Sequence, residues 1–222
     1  MYRLFLIMMT AATLTAHDYW IDASGVLQRG HLEPEAGEHA HKDEALRQYP
    51  AERYCRRDGA VGEVQGPFGV SEHVTAGCDS VMVVLHLGSY AKTPYGIVAA
   101  AEANPSMVIK SWESIESVKR LNRLSDFSPM GKGFELSFSR DPSGLEAGEK
   151  MRILATFDGT PKAGAVVAYE GRVVGTTDEA GRINVRIRHA GLQLIRATLR
   201  EPLTNMPVGE RLYNATLNLE VE

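Results

Sequence analysis

The histidines carry the most chemistry in this chain of 222 residues. If a peptidase cuts after Ala16, His17 becomes the first residue, and its α-amine and ring Nδ1 can close a six-membered chelate on one metal ion. A second imidazole would complete a three-nitrogen site, and square or tetragonal nitrogen fields suit Cu(II) and Ni(II). His31 is the candidate for that ring. A strand from Asp18, a turn near Ser24-Gly25 and a return from Val26 to Arg29 would bring it back beside the start, since residues on paired strands face one another within about 5 Å. Glu33 and Glu35 can add oxygen ligands or orient the imidazoles from behind. The plain alternatives are a solvated terminus for His17 and an ordinary turn histidine for His31.

Other candidates are weaker. His39 and His41 point to one side of an extended segment, but Glu38, Lys42, Asp43 and Glu44 around them read as a solvated loop. His86 stands in a run of Val and Leu, as a ligand or as a hydrogen-bonded core histidine, while His73 and His189 read as surface. Tyr90, Lys92 and Thr93 form a candidate recognition loop, or simply a hairpin bend before Pro94. Cys55 and Cys78 are the only cysteines. A lone pair in an oxidising compartment closes a disulfide, where metal or redox use calls for CxxC spacing or more thiols; by the chain-entropy model such a bridge contributes roughly 3 kcal/mol. Catalytic signatures are missing: there is no Gly-x-Ser-x-Gly elbow, no His-Glu-x-x-His, no phosphate-cradling Gly loop. The expectation is a protein that is not an enzyme.

What positions these residues starts with a sorting segment. Arg3, the apolar run Leu4 to Met9, and Leu14-Thr15-Ala16 predict a signal peptide over residues 1–16. The exported chain would begin at His17 in the periplasm or outside the cell, and no other stretch reaches the roughly 20 apolar residues of a membrane-spanning helix. Twenty-eight acidic residues against 24 basic give a net charge of −4. That balance lacks the basic footprint of nucleic-acid binding. At 44% hydrophobic content the chain can bury a real core, and 21 Gly with 10 Pro suit a turn-rich β protein.

Period-two alternation dominates. Val81, Val83, Leu85 and Leu87 oppose Met82, Val84 and His86, which predicts a strand buried on both faces. Phe134-Leu136-Phe138, Met151-Ile153-Ala155-Phe157, Ile183-Val185-Ile187 and Ala215-Leu217-Leu219-Val221 predict half-exposed antiparallel strands, with turns at Asp158-Gly159, Glu170-Gly171 and Ala190-Gly191. One segment reads as a helix: from Ser111, the residues Trp112, Ile115, Val118, Lys119 and Asn122 fall on helical spacing, with Glu113 near the start and Arg120 and Arg123 near the end. The predicted architecture is all-β: an N-terminal β-sandwich over 17–124 ending in that short linking helix, a linker over 125–133, and a C-terminal antiparallel β-sandwich over 134–222.

Several motifs then coincide along the chain. His17-Asp18-Tyr19-Trp20-Ile21, Gly30-His31-Leu32-Glu33-Pro34-Glu35, the loop Tyr90-Ala91-Lys92-Thr93-Pro94-Tyr95-Gly96, then Asp158-Gly159-Thr160-Pro161 and Gly175-Thr176-Thr177-Asp178-Glu179-Ala180-Gly181-Arg182 follow in order. In these the chain resembles a family of secreted bacterial proteins of poorly defined function, classed as soluble domains associated with nickel uptake. Ala91, the apolar run Ile97 to Ala101, and the two cysteines depart from its usual pattern. The last two motifs also resemble hairpins of immunoglobulin-like domains, which implies that fold for both sandwiches. The resemblance implies a non-catalytic periplasmic protein that binds a divalent metal, nickel first and Cu(II) or Zn(II) next, and that serves a membrane permease; read from their chemistry, the candidate ligands are His17, His31, Glu33, Glu35 and His86. The competing expectation is a structural or adhesive immunoglobulin-like module in which the histidines are incidental.

Overall fold

Wherever apolar residues alternate with period two, the chain is strand. The computed structural model describes residues 18–33, 37–40, 49–64, 77–203 and 209–221, with backbone alone for 31–33 and 37–40. The described strands in the first half are β1 (Asp18–Ile21), β2 (Leu27–Glu33), β3 (Gly37–Ala40), β4 (Ala51–Arg57), β5 (Ala60–Glu63), β6 (Ser80–Thr93), β7 (Gly96–Ala99) and β8 (Lys110–Leu121). In the second half they are β9 (Phe134–Phe138), β10 (Lys150–Phe157), β11 (Thr160–Pro161), β12 (Val166–Tyr169), β13 (Arg172–Thr176), β14 (Arg182–Arg186), β15 (Gly191–Pro202) and β16 (Gly209–Val221). Tight hairpins close at Asp58-Gly59, Asp158-Gly159 and Glu170-Gly171, where both central residues have positive φ. That backbone matches the right-handed twist of the strands it joins.

The strands form three sheets arranged like a sandwich. A nine-stranded sheet runs β13-β12-β15-β16-β8-β6-β4-β5, with β7 paired to the far end of β6; a second sheet runs β11-β10-β14 with β9 on β10; a third is β1-β2-β3. The second sheet covers one face of the large one, and Phe134, Leu136, Ile153, Val185, Ile195 and Leu217 pack between them. On the opposite face Tyr19, Ile21 and Leu27 pack against Val81, Val83, Leu85 and Val118. Each inner layer is buried apolar surface, the main favourable contribution to folding. The Gly175-to-Arg182 motif closes a structural corner here. Asp178 Oδ1 accepts from the amides of Ala180 and Arg182 at 3.0 and 2.8 Å, and a Cβ on Gly181 would fall 2.7 Å from the Ala155 carbonyl oxygen.

Two expectations need correction. The helix predicted from Ser111 is strand β8, which pairs antiparallel with β6 and, against the expectation of antiparallel pairing throughout, parallel with β16. Its apolar residues Trp112, Ile115, Val118 and Leu121 recur every third position because Glu116, Lys119 and Arg120 occupy inward positions that alternation would give to apolar residues; all three are buried. The β8–β16 ladder also hydrogen-bonds a strand of residues 17–124 to a strand of residues 134–222 within one sheet.

The segment expected to be a linker, 125–133, is pinned to that sheet. Lys119 Nζ lies 2.8 Å from Glu135 Oε2, with side chains 1% and 0% exposed. Lys119 also donates to the Ser128 carbonyl at 2.9 Å, and the Glu135 carboxylate accepts from the amides of Met130 and Gly131 at 2.9 and 2.7 Å. Arg56 donates to Asp126 and to the carbonyls of Ser128 and Pro129. Burial pulls the Lys119 ammonium below its ordinary range, opposed by the Glu135 charge. Removing one partner of a buried pair strands the other charge, at a cost of roughly 3–5 kcal/mol. Lys119→Met should therefore lower the unfolding free energy by about that amount in urea titrations, and the double change Lys119→Met with Glu135→Gln should lose less. A single variant within about 1 kcal/mol of wild type would contradict the assignment.

Candidate functional site

The β1–β2 hairpin expected from the sequence is present. Asp22 Oδ1 accepts from the Val26 amide at 2.9 Å and from Ser24 Oγ at 2.6 Å, and its Oδ2 accepts from Gln28 at 2.7 Å, across a turn with Gly25 at φ 83°. Burial pushes the Asp22 carboxyl upward, but these hydrogen bonds outweigh it and hold the group below the usual carboxylate range. The register sets Asp18 opposite Gly30, the residues that adjoin His17 and His31 in the chain. On the next ladder His31 pairs with His39, and Glu33 with Gly37. His17 and Glu35 lie outside the described residues.

Beneath β1 the large sheet presents charges where a core is expected. Asp18 Oδ1 accepts from Arg196 Nη1 at 2.9 Å. Arg196 Nη2 stands 3.7 Å from Glu116 Oε1, which accepts from Asn214 Nδ2 at 2.6 Å, and Thr198 donates to Asn214 at 2.7 Å. Arg120 and Asn218 both donate to the Ile21 carbonyl, and Asn218 Oδ1 accepts from the Ile21 amide. The backbone of β1 is thus held by side chains of β8 and β16, and its first described carboxylate by β15. Burial pushes the Glu116 carboxyl up to about 7; Arg196 and Asn214 oppose that, and the Asp18 charge adds to it. Sequence reasoning missed Asp18, Glu116, Arg196 and Asn214. In the sequence Asn214, Thr216 and Asn218 alternate with Ala215, Leu217 and Leu219 and read as the solvent row of a half-exposed strand, whereas in the structure that row is buried, so the alternation gave no signal of this network.

The remaining candidates divide between the faces. His86 Nε2 lies 3.0 Å from Glu52 Oε1, and Tyr54 donates to the other oxygen of Glu52. These bonds hold the Glu52 carboxyl below its ordinary range, against burial, while burial and then Glu52 push the Tyr54 hydroxyl up. Tyr54 packs with Met82 and Val84, whereas Val81, Val83 and Leu85 pack under β1. His86 is therefore on the sheet face away from the β1–β2 hairpin, and the structure does not bring it to His31. Past His86 the ladder shifts by one residue at Gly88, and a bulge of this kind re-aims the side chains that follow. Tyr90 consequently stacks on Trp112, ring centroids 6.0 Å apart, and donates to the Leu87 carbonyl at 3.1 Å. Burial, then a hydrogen bond with Tyr49, push the Tyr90 hydroxyl up to about 12, with Arg29 opposing. Burial likewise raises Tyr19, whose neighbours are Arg29, Glu116, Tyr49 and Tyr90. So Tyr90 joins the hairpin side. Thr93 donates to the Gly96 carbonyl and accepts from the Tyr95 amide, closing the β6–β7 turn, and Lys92 is exposed beside it.

Cys55 and Cys78 form the expected disulfide, with Cα atoms 5.5 Å apart. Among the described residues no group of three or more His, Cys, Asp or Glu is placed to hold a metal ion, and no helix is long and apolar enough to cross a membrane.

These features define an all-β protein of sandwich-like sheets, closed by one disulfide, with a three-stranded sheet seated on buried charges. Residues 14–201 match the family described as Domain of unknown function (DUF4198), and the chain belongs to that family. No curated protein matches it. Among solved structures it is similar to "Crystal structure of Dscam1 isoform 4.44, N-terminal four Ig domains", at 12% identity and a TM-score of 0.21, over 76% of this chain and 37% of that one. The same protein's isoform 9.44 gives 10% identity and a TM-score of 0.21, over 83% and 39%. The chain spans under two-fifths of those structures, and overlays of that quality bear no weight.

The buried network makes a test of its own. Glu116 binds its proton more tightly folded than at its ordinary value of 4.5, so its contribution to stability is full below about pH 4.5 and is lost as pH rises through about 7. At about 1.4 kcal/mol per pH unit the loss is on the order of 3 kcal/mol. Glu116→Gln keeps an acceptor for Asn214 and should remove this pH dependence, gaining on wild type between pH 5 and 8 in denaturation experiments. Parallel curves for the two proteins would contradict the assignment.

Proposed function

We propose that this chain is an exported, non-catalytic protein of the periplasm that binds a divalent transition-metal ion, nickel before copper or zinc, as an accessory to uptake through a membrane permease. The observation that carries the reading is the ladder register. Asp18 pairs with Gly30 and His31 with His39, so one further residue along β1 would set His17 opposite His31. Cleavage before His17 then supplies an α-amine and an imidazole nitrogen from one residue, and His31 supplies a third nitrogen, a donor set that suits Ni(II) and Cu(II). Glu33 and Glu35 follow on the same segment as oxygen donors or as partners that orient the imidazoles. His86 falls outside this set because Glu52 holds it on the other face.

The disulfide and the signal-like segment over residues 1–16 support export. The two-residue turns at Asp158-Gly159 and Glu170-Gly171, with the facing sheets around them, support an immunoglobulin-like second half.

Calorimetric titration of the exported protein, its first residue verified as His17 by mass analysis, should give one strong site for Ni(II). His17→Ala and His31→Ala should each weaken it at least tenfold, about 1.4 kcal/mol. Metal at a hundredfold excess over its dissociation constant should add about 2.7 kcal/mol to stability. If His17→Ala binds as tightly as wild type, the metal role fails and the structural or adhesive module stands in its place.

A further inference from the structure

From Pro94 to Ile109 no residue is buried, and Glu102 is the one charged side chain in the stretch. Four of the seven large hydrophobic side chains exposed among the described residues stand here: Tyr95 at 86%, Ile97 at 48%, Met107 at 41% and Ile109 at 56%. Single exposed apolar residues need no explanation, but four within sixteen consecutive residues, none of them buried, concentrate exposed apolar surface in one segment, the kind of feature that marks an interaction surface. The segment is ordered by its own bonds. Asn104 Oδ1 accepts from the amide and hydroxyl of Ser106 at 3.1 and 2.8 Å, the Ile109 amide donates to the Lys92 carbonyl at 2.8 Å, and Thr93 closes the β6–β7 turn. It is therefore a formed element at the β7 end of β6, with β7 running back along β6 and the chain returning to β8 at Lys110.

We propose that this segment is a membrane-contacting element that sets its apolar side chains into the headgroup region of an anionic bilayer. Three features favour lipid as the occupant. The near absence of charge matches a medium that rejects ions, since a charge carried toward hydrocarbon is costly. Lys92 and Lys110 face each other across the ladder at its base. Glu210 already pairs with Lys110 at 2.8 Å, so the exposed Lys92 is the cation at this base that anionic headgroups would meet. Further into the sheet Tyr90 and Trp112 stack on one another, half-buried, so the aromatic that reaches outward is Tyr95, 86% exposed at the β6–β7 turn, and amphipathic aromatics favour the membrane–water boundary. Depth is bounded too, because the irregular turns Ala100–Glu102 and Pro105–Met107 keep backbone groups that need water or a partner. The element lies in the interface and does not span the membrane.

The test uses the chain without residues 1–16, so that the apolar run Leu4 to Met9 cannot contribute, and vesicles of phosphatidylethanolamine and phosphatidylglycerol at 3:1. Wild type should float with the vesicles. The triple change Tyr95→Ser, Ile97→Ser and Ile109→Ser, all at exposed positions, should keep its melting temperature and bind at least tenfold less. Lys92→Glu should weaken binding to these vesicles and leave binding to phosphatidylcholine vesicles unchanged. Tyr95→Trp should show a blue-shifted emission quenched by brominated lipid. Failure of wild type to float, or equal flotation of the triple variant, would overturn the proposal. Self-association of wild type without flotation, lost in the triple variant, would overturn it in favour of a second copy of the chain.

Discussion

Strand β8 has no solvent side over most of its length, yet it carries Glu116, Lys119 and Arg120. An ion so placed is tolerable only when it is paired and hydrogen-bonded, and each of the three solves that problem by reaching a different piece of the chain. Lys119 takes Glu135 and the segment after β8. Glu116 takes Asn214 of β16 and, through Arg196, Asp18 of β1. Arg120 takes the Ile21 carbonyl of β1. One strand thereby ties both covering layers to the central sheet, and apolar packing fills the space between those ties.

This arrangement separates the two faces in packing. On one face the second sheet and the pinned 125–133 segment build a closed core. On the other, β1 and β2 rest on the sheet with their ends toward Asp18 and Gly30. The shift at Gly88 brings Tyr90 round to that side, next to Trp112, and the apolar segment continues from the same strands. A terminal chelate and a lipid-facing element would then share one end of β6 and β8, an arrangement suited to handling an ion close to a membrane.

Much of the scaffold was legible because strand alternation and two-residue turns are local signals. Val81 to Leu87 and Ala215 to Val221 read correctly as strands, Asp158-Gly159 and Glu170-Gly171 as turns, and the lone cysteine pair as a bridge. β8 misled because its inward ions erase the period of two and leave apolar residues at every third position, which imitates a helix. Its parallel pairing with β16 joins segments nearly a hundred residues apart, and no local pattern encodes that. The hairpin around Ser24-Gly25 was readable, whereas the charges under it were not: Asp18 meets Arg196 across 178 residues and Glu116 meets Asn214 across 98. His86 sat in a correctly read strand, but only the partner Glu52 decides which face it serves.

The account stands on the claim that the buried charges of β8 seat β1 so that the first imidazole of the exported chain meets His31 on a shared ion. Nickel K-edge X-ray absorption of the loaded protein reads that coordination shell directly. The account predicts a shell dominated by nitrogen, with the multiple-scattering pattern of at least two imidazoles. A shell of oxygen alone, as for the hydrated ion, would contradict it.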